Sequence, residues 1–145
     1  MHAPRGGLPD EVVAAGVLHD VLEDTDVEAP ELEERFGSEV ARLVRDVSED
    51  PAIEAKGERR AALRRQVAEA DDRAAVVFAA DKVSKARELR LRADHHGGFQ
   101  QGDREKVEHY AASLEMLQRK IPEHPFVERL ATELEAVHSR PDLSD

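Results

Sequence analysis

Cysteine is absent from the 145 residues, which excludes a disulfide framework, thiolate metal sites and a cysteine nucleophile. Tryptophan is absent too, and four Phe with one Tyr leave too few rings for a surface on which nucleic-acid bases stack. Basic residues are outnumbered: 21 Lys and Arg against 32 Asp and Glu give a formal charge of −11 at pH 7. That balance argues against general binding to nucleic acid or to an anionic membrane. No apolar run has the length of a membrane span, and no signal-peptide pattern opens the chain. The expectation is a cytoplasmic, acidic protein with no nucleic-acid or membrane partner. The length suits one domain over residues 1–145, with flexible tails at 1–8 and 139–145.

What the chain does have is helical periodicity. Twenty-one of its apolar residues are Ala, a strong helix former that lets helices approach closely. The seven prolines fall at 4, 9, 30, 51, 122, 125 and 141, outside the periodic stretches, as helix boundaries do. Asp10 is placed to cap a helix that runs to about Asp24. A short helix follows Pro30 and ends at Gly37, and Ser38 caps the next, with Val40, Leu43, Val44 and Val47 on one face. A charged helix then runs to about Ala70. Asp71 caps another to about Ala93, with Asp94 to Gly102 as the clear loop. Val107, Tyr110, Ala111, Leu114 and Leu117 mark a further helix, and Val127, Leu130, Ala131, Leu134 and Val137 the last. No stretch alternates with period two. The fold class is all-α, a single-domain bundle of six or seven helices.

Charge is unevenly spread. Residues 56–92 hold eleven Lys and Arg against six Asp and Glu, an excess of +5, while the rest of the chain carries −16. One reading is a solvated helix face; the other is a basic lobe facing an anionic ligand.

Two stretches share a pattern. Val12 to Leu18 is apolar around two turns and then meets His19-Asp20, and Ala74 to Ala80 is apolar around two turns and then meets Asp81-Lys82. Helices apolar on every side are enclosed by others, so both are expected at the centre, each with a carboxylate at the core. An ionised carboxylate there is costly unless a cation, a metal or several hydrogen bonds accompany it. His19, Asp20 and Asp81 could share one divalent metal of the Mn²⁺, Fe²⁺, Mg²⁺ or Zn²⁺ kind. Glu23 and Asp24 are i+4 from His19 and Asp20, on the side where they could orient a water. The plainer alternatives are a structural His19, an Asp20 paired with Arg or Lys, and an Asp81 in a buried ion pair with Arg73 or Lys85.

Ala14-Ala-Gly-Val-Leu-His-Asp-Val-Leu-Glu-Asp-Thr25, Phe36-Gly37 before Val40-Ala-Arg-Leu-Val44, and Ala79-Ala-Asp-Lys-Val-Ser-Lys-Ala-Arg87 together resemble the HD-superfamily phosphohydrolases. The branch they look most like is the Rel/SpoT-type alarmone hydrolases and their small stand-alone relatives. The resemblance spans residues 9–92. It implies an all-α fold, Mn²⁺ as cofactor, and removal of the 3′-pyrophosphate from guanosine tetra- and pentaphosphate. It makes His19, Asp20 and Asp81 metal ligands, Glu23 and Asp24 the catalytic carboxylates, and Arg87 a contact for an anionic small-molecule substrate, a nucleotide phosphate; Lys85, i+4 from Asp81, could contact a phosphate of it directly. It also puts the family's first metal-binding His, with the basic residues that recognise guanine, upstream of residue 1, and finds Lys85 where Asn is usual.

Among the other histidines, His2 would reach the site only by a fold-back of the first residues. His95 and His96 read as loop residues about 21 Å beyond Asp81 along a straight helix. His109, His124 and His138 receive no role. Three functions therefore compete: a metal-dependent phosphohydrolase, a non-catalytic HD module that binds a nucleotide or protein partner, and a helical scaffold whose buried acids are merely ion-paired.

Overall fold

The computed structural model describes residues 29–140, and within them every regular element is a helix. In chain order these are α1 (Ala29–Phe36), α2 (Ser38–Asp46), α3 (Lys56–Glu69), α4 (Asp72–His96), α5 (Asp103–Lys120) and α6 (Pro125–His138). The helix expected over 10–24, and with it His19, Asp20, Glu23 and Asp24, lies outside the described residues. The same holds for the tail expected at 1–8. None of the described helices is long and apolar enough to cross a membrane.

Local chemistry sets most of the boundaries. Pro125 opens α6, where its missing N–H costs nothing, and the His124 ring caps that end by accepting from the Phe126 N–H at 3.1 Å. Asp71 caps α4 as expected, its side chain accepting from the Ala74 N–H at 3.0 Å. Two expectations need correction. Ser38 does not cap α2; Gly37 occupies that position at φ 95° and no side chain bonds the helix end. A positive φ breaks the chain direction between α1 and α2 there, which Gly alone does without strain. And α4 continues past Ala93, so that His95 and His96 form its last turn rather than a loop. Polarity does not end a helix. What ends this one is Gly97 at φ 77°, with the Gly98 N–H returning to the Ala93 carbonyl at 2.8 Å.

The long α4 is the axis of the bundle and packs against α2, α3, α5 and α6. Ala74, Ala75, Val77, Phe78 and Ala79 are all buried, and Ala86, Leu89 and Ala93 continue the buried line. Their small side chains allow close helix approach, and α6 answers with Val127, Leu130, Leu134 and Val137 at helical spacing. Phe78 meets the His109 ring and Arg92 meets Asp103, so α4 and α5 run antiparallel. Arg42 bonds Glu39, Asp46 and Asp71, and Arg73 also pairs with Glu39, which ties α2 to the start of α4. Of the tail expected at 139–145, residues 141–145 lie outside the described residues; Ser139 bonds the Glu135 carbonyl, and Arg140 pairs with Asp94 and lies over the Phe99 ring at 5.3 Å.

Candidate functional site

One side of α4 faces a cavity of about 760 Å³. Asp81, Lys82, Lys85, Glu88, Leu89 and Arg92 line it from this helix at spacings of three and four. Arg59, Arg60 and Leu63 of α3 and Lys106, His109 and Tyr110 of α5 form the other walls, with Ser48, Glu49 and Pro51 closing one end. Six Lys and Arg against three Asp and Glu give the lining an excess of +3, inside a chain of −11. Five of the eleven cations in residues 56–92 thus face the cavity, while Arg65 and Arg87 point to solvent and Arg90 pairs with Glu133. The basic segment is part lobe and part solvated face.

Asp81 is only 11% exposed, and its Oδ2 accepts from the Lys82 ammonium at 2.7 Å. Lys82 is itself buried, and its Nζ stands 4.6 Å from the centre of the Phe78 ring. The ring face and the carboxylate together offset the loss of water around that cation. Arg73, one of the partners considered for Asp81, pairs with Glu39. Lys85 lines the cavity one turn beyond Asp81. Arg87 does not line it: two residues further, it is turned by roughly 200° and exposed, which separates it from Lys85.

The side chain that sequence reasoning passed over is His109. It is buried on α5, and Arg64 approaches its Nδ1 at 2.7 Å from α3. A guanidinium only donates, so Nδ1 accepts, and the ring is neutral with its proton on Nε2. Burial pushes the imidazole down to about 3, reinforced by the positive charges of Lys82, Arg64 and Arg60 and opposed by Asp81. Burial likewise pushes the adjacent Tyr110 phenol up to about 12, with Asp81 acting in the same direction. No local spacing could have marked His109, because its partner lies 45 residues away on another helix.

Below these walls, Asp103 is 1% exposed and accepts from Arg92 at 3.0 and 3.1 Å and from the Gln100 N–H at 2.8 Å. Burial alone would raise its pKa, but the Arg92 and Gln100 hydrogen bonds outweigh it and hold the carboxyl below its usual range. The pair fixes Arg92 at one end of the cavity.

His109 gives a pH signature. A folded pKa below the unfolded value means that the unfolded chain takes the proton first. Stability is therefore complete above about pH 6.5 and falls by about 1.4 kcal/mol per pH unit as pH drops toward 3. Urea midpoints at pH 7 and 4.5 should show wild type losing about 2–3 kcal/mol more than His109→Gln. Equal losses would mean that the ring is not held neutral.

Among the described residues no three His, Cys, Asp or Glu side chains gather as a metal site. Asp81 offers one hard oxygen donor, nearly buried at a cavity wall, a donor type that suits a divalent cation of the Mn²⁺ or Mg²⁺ class. His19 and Asp20 fall outside the described residues.

The model of the HD domain matches residues 5–112, and the chain belongs to that family. Membership implies a divalent metal and accords with the all-α, HD-type fold. Two relatives are guanosine-3′,5′-bis(diphosphate) 3′-pyrophosphohydrolases named MESH1. The one from Drosophila melanogaster is 39% identical over 85 residues, covering 58% of this chain and 47% of that protein. The one from Homo sapiens is 38% identical over 86 residues, covering 59% and 48%. The chain thus spans about half the length of the curated relatives it matches. The crystal structure of lmo0812 from Listeria monocytogenes EGD-e superposes with a TM-score of 0.79 at 25% identity, over 94% of this chain and 92% of that one. A structure described as a metazoan ortholog of SpoT that hydrolyzes ppGpp gives a TM-score of 0.74 at 26% identity, over 91% and 71%.

Proposed function

We propose that the protein is a metal-dependent phosphohydrolase that removes the 3′-pyrophosphate from guanosine tetra- or pentaphosphate. The observation that carries the reading is the cationic cavity built around Asp81, in a chain whose relatives bear that activity in their names. His19, Asp20 and Asp81 would hold the divalent ion, with Mn²⁺ the choice the resemblance implies. When bound, such an ion supplies Lewis-acid charge to the phosphoryl group and acidifies water. Glu23 and Asp24 hold the attacking water in line and take up its proton. The water oxygen bonds to the 3′-linked phosphorus, the phosphorus–O3′ bond breaks, and the expelled ribose oxygen takes a proton, which frees pyrophosphate. Lys85 binds the reacting phosphates from the next turn of α4, while Arg87, which does not line the cavity, keeps only the substrate contact that the resemblance implies.

The test is Mn²⁺-dependent release of pyrophosphate from guanosine 3′,5′-bis(diphosphate). Glu23→Gln and Asp24→Asn are expected to keep the metal and lose most hydrolysis, by roughly 10²-fold or more. Lys85→Ala should lose about 1.5–3 kcal/mol in nucleotide binding, because its contact is charge-assisted and half-buried. Full turnover by either carboxylate variant would remove it from the water-positioning role. Tight nucleotide binding without any turnover in wild type would mark a non-catalytic HD module instead.

A further inference from the structure

Arg60 is half-buried on α3 and lines both the main cavity and a smaller one of about 280 Å³ between α3 and α5. Among the described residues it has neither an ion pair nor a hydrogen bond, although its neighbours on the same walls are engaged. Arg59 bonds Glu49 at 2.9 Å, Arg64 bonds His109 at 2.7 Å, and Arg92 bonds Asp103. A cation kept partly from water with no counter-charge is unfavourable unless something else supplies the charge. The adjoining donor is defined as well, since Arg64 occupies His109 Nδ1 and leaves the proton on Nε2.

The placement of Arg60 follows from the helices. Arg64 meets His109, and Lys120 Nζ donates to the Ala68 carbonyl at 3.1 Å, so α3 and α5 run in the same direction. Arg60, one turn before Arg64, is therefore beside the Glu105 to His109 turn, and both cavities record it there. On the opposite wall, α4 lines the cavity from Asp81 to Arg92, about 16 Å of helix. Arg60 stands on the α3 wall and Asp81 on the α4 wall, so a ligand with two anionic groups can touch both across the cavity.

We propose that Arg60, with the Nε2–H of His109, binds a second phosphate group of the ligand, apart from the group that reacts beside Asp81. This rests on the nucleotide reading and adds to it a residue that selects substrates carrying phosphate at both ends of the nucleoside. Calorimetry in the presence of Ca²⁺, a hard ion for oxygen-ligand sites, compares guanosine 3′,5′-bis(diphosphate) with guanosine 3′-diphosphate. Arg60→Gln should weaken the first at least tenfold and the second less than threefold, and Arg60→Lys should restore part of the loss. Because Arg60 has no partner among the described residues, the melting temperature of Arg60→Gln should stay at or above the wild-type value. Arg129→Gln, an exposed change on α6, should alter neither affinity.

Unchanged affinities in Arg60→Gln, or equal losses for both probes, would overturn the proposal, since either leaves Arg60 as a general charge. Equal binding of the two probes by wild type would also overturn it while the nucleotide reading stands. Failure of wild type to bind either probe would remove both.

Discussion

Asp81→Asn is expected to stay folded yet lose its divalent metal, and hydrolysis should fall by about a thousandfold or more, the several kcal/mol that a Lewis-acid ion contributes. Asn is the informative replacement because of Lys82. Its ammonium is buried and donates to Asp81 Oδ2 at 2.7 Å, and an amide oxygen still accepts that bond. Asp81→Ala removes the acceptor and leaves a buried cation over the Phe78 ring without that counter-charge, at a cost of about 3 kcal/mol. Adding Lys82→Met to that variant should restore stability and leave the metal lost. Metal stoichiometry, turnover and urea midpoints of the three proteins separate the two roles. If Asp81→Asn bound metal with unchanged stoichiometry, Asp81 would be only one half of a structural ion pair.

The helices were legible in the sequence wherever a boundary is local chemistry. Asp71 reads as a cap and bonds the third residue beyond it, and Pro125, read like the other prolines as a helix boundary, begins α6. Gly37 shows the limit: Ser38 is the better capping side chain, yet the left-handed turn at Gly37 takes the position. His95 and His96 misled for the same reason, since polarity suggested a loop where only the following Gly97 stops the helix.

The site was legible along α4 but not across the bundle. Asp81 and Lys85 stand out because two apolar turns precede them and i+4 spacing joins their faces. Arg87 entered through the resemblance, and the turn angle of a helix puts it on the far side. Arg60 and His109 carry no such mark. Arg60 is one of eleven cations in its segment, and only its place against α5 distinguishes it. His109 becomes a neutral donor through Arg64 of α3, a contact that spacing on α5 cannot reveal.

Phe78 joins the core to this site, so its removal should carry the largest cost in stability. Among the described residues it is the largest fully buried side chain, and a close-packed interior relaxes little to fill a void. Phe78→Ala is expected to lose about 3–5 kcal/mol, the transfer term of the ring plus the cavity left behind. The ring does more than fill space, because Lys82 Nζ lies over it at 4.6 Å and His109 meets its edge with centroids 6.4 Å apart. Phe78→Leu keeps much of the volume and removes the π face, so its cost should be smaller, but should include about 0.5–2 kcal/mol for the stranded ammonium. That part is measurable in a Lys82→Met background, where no cation needs the ring. Phe78→Leu should then be less costly than in wild type by that amount. Equal costs in the two backgrounds would show that Lys82 is held by Asp81 alone and that Phe78 acts through packing.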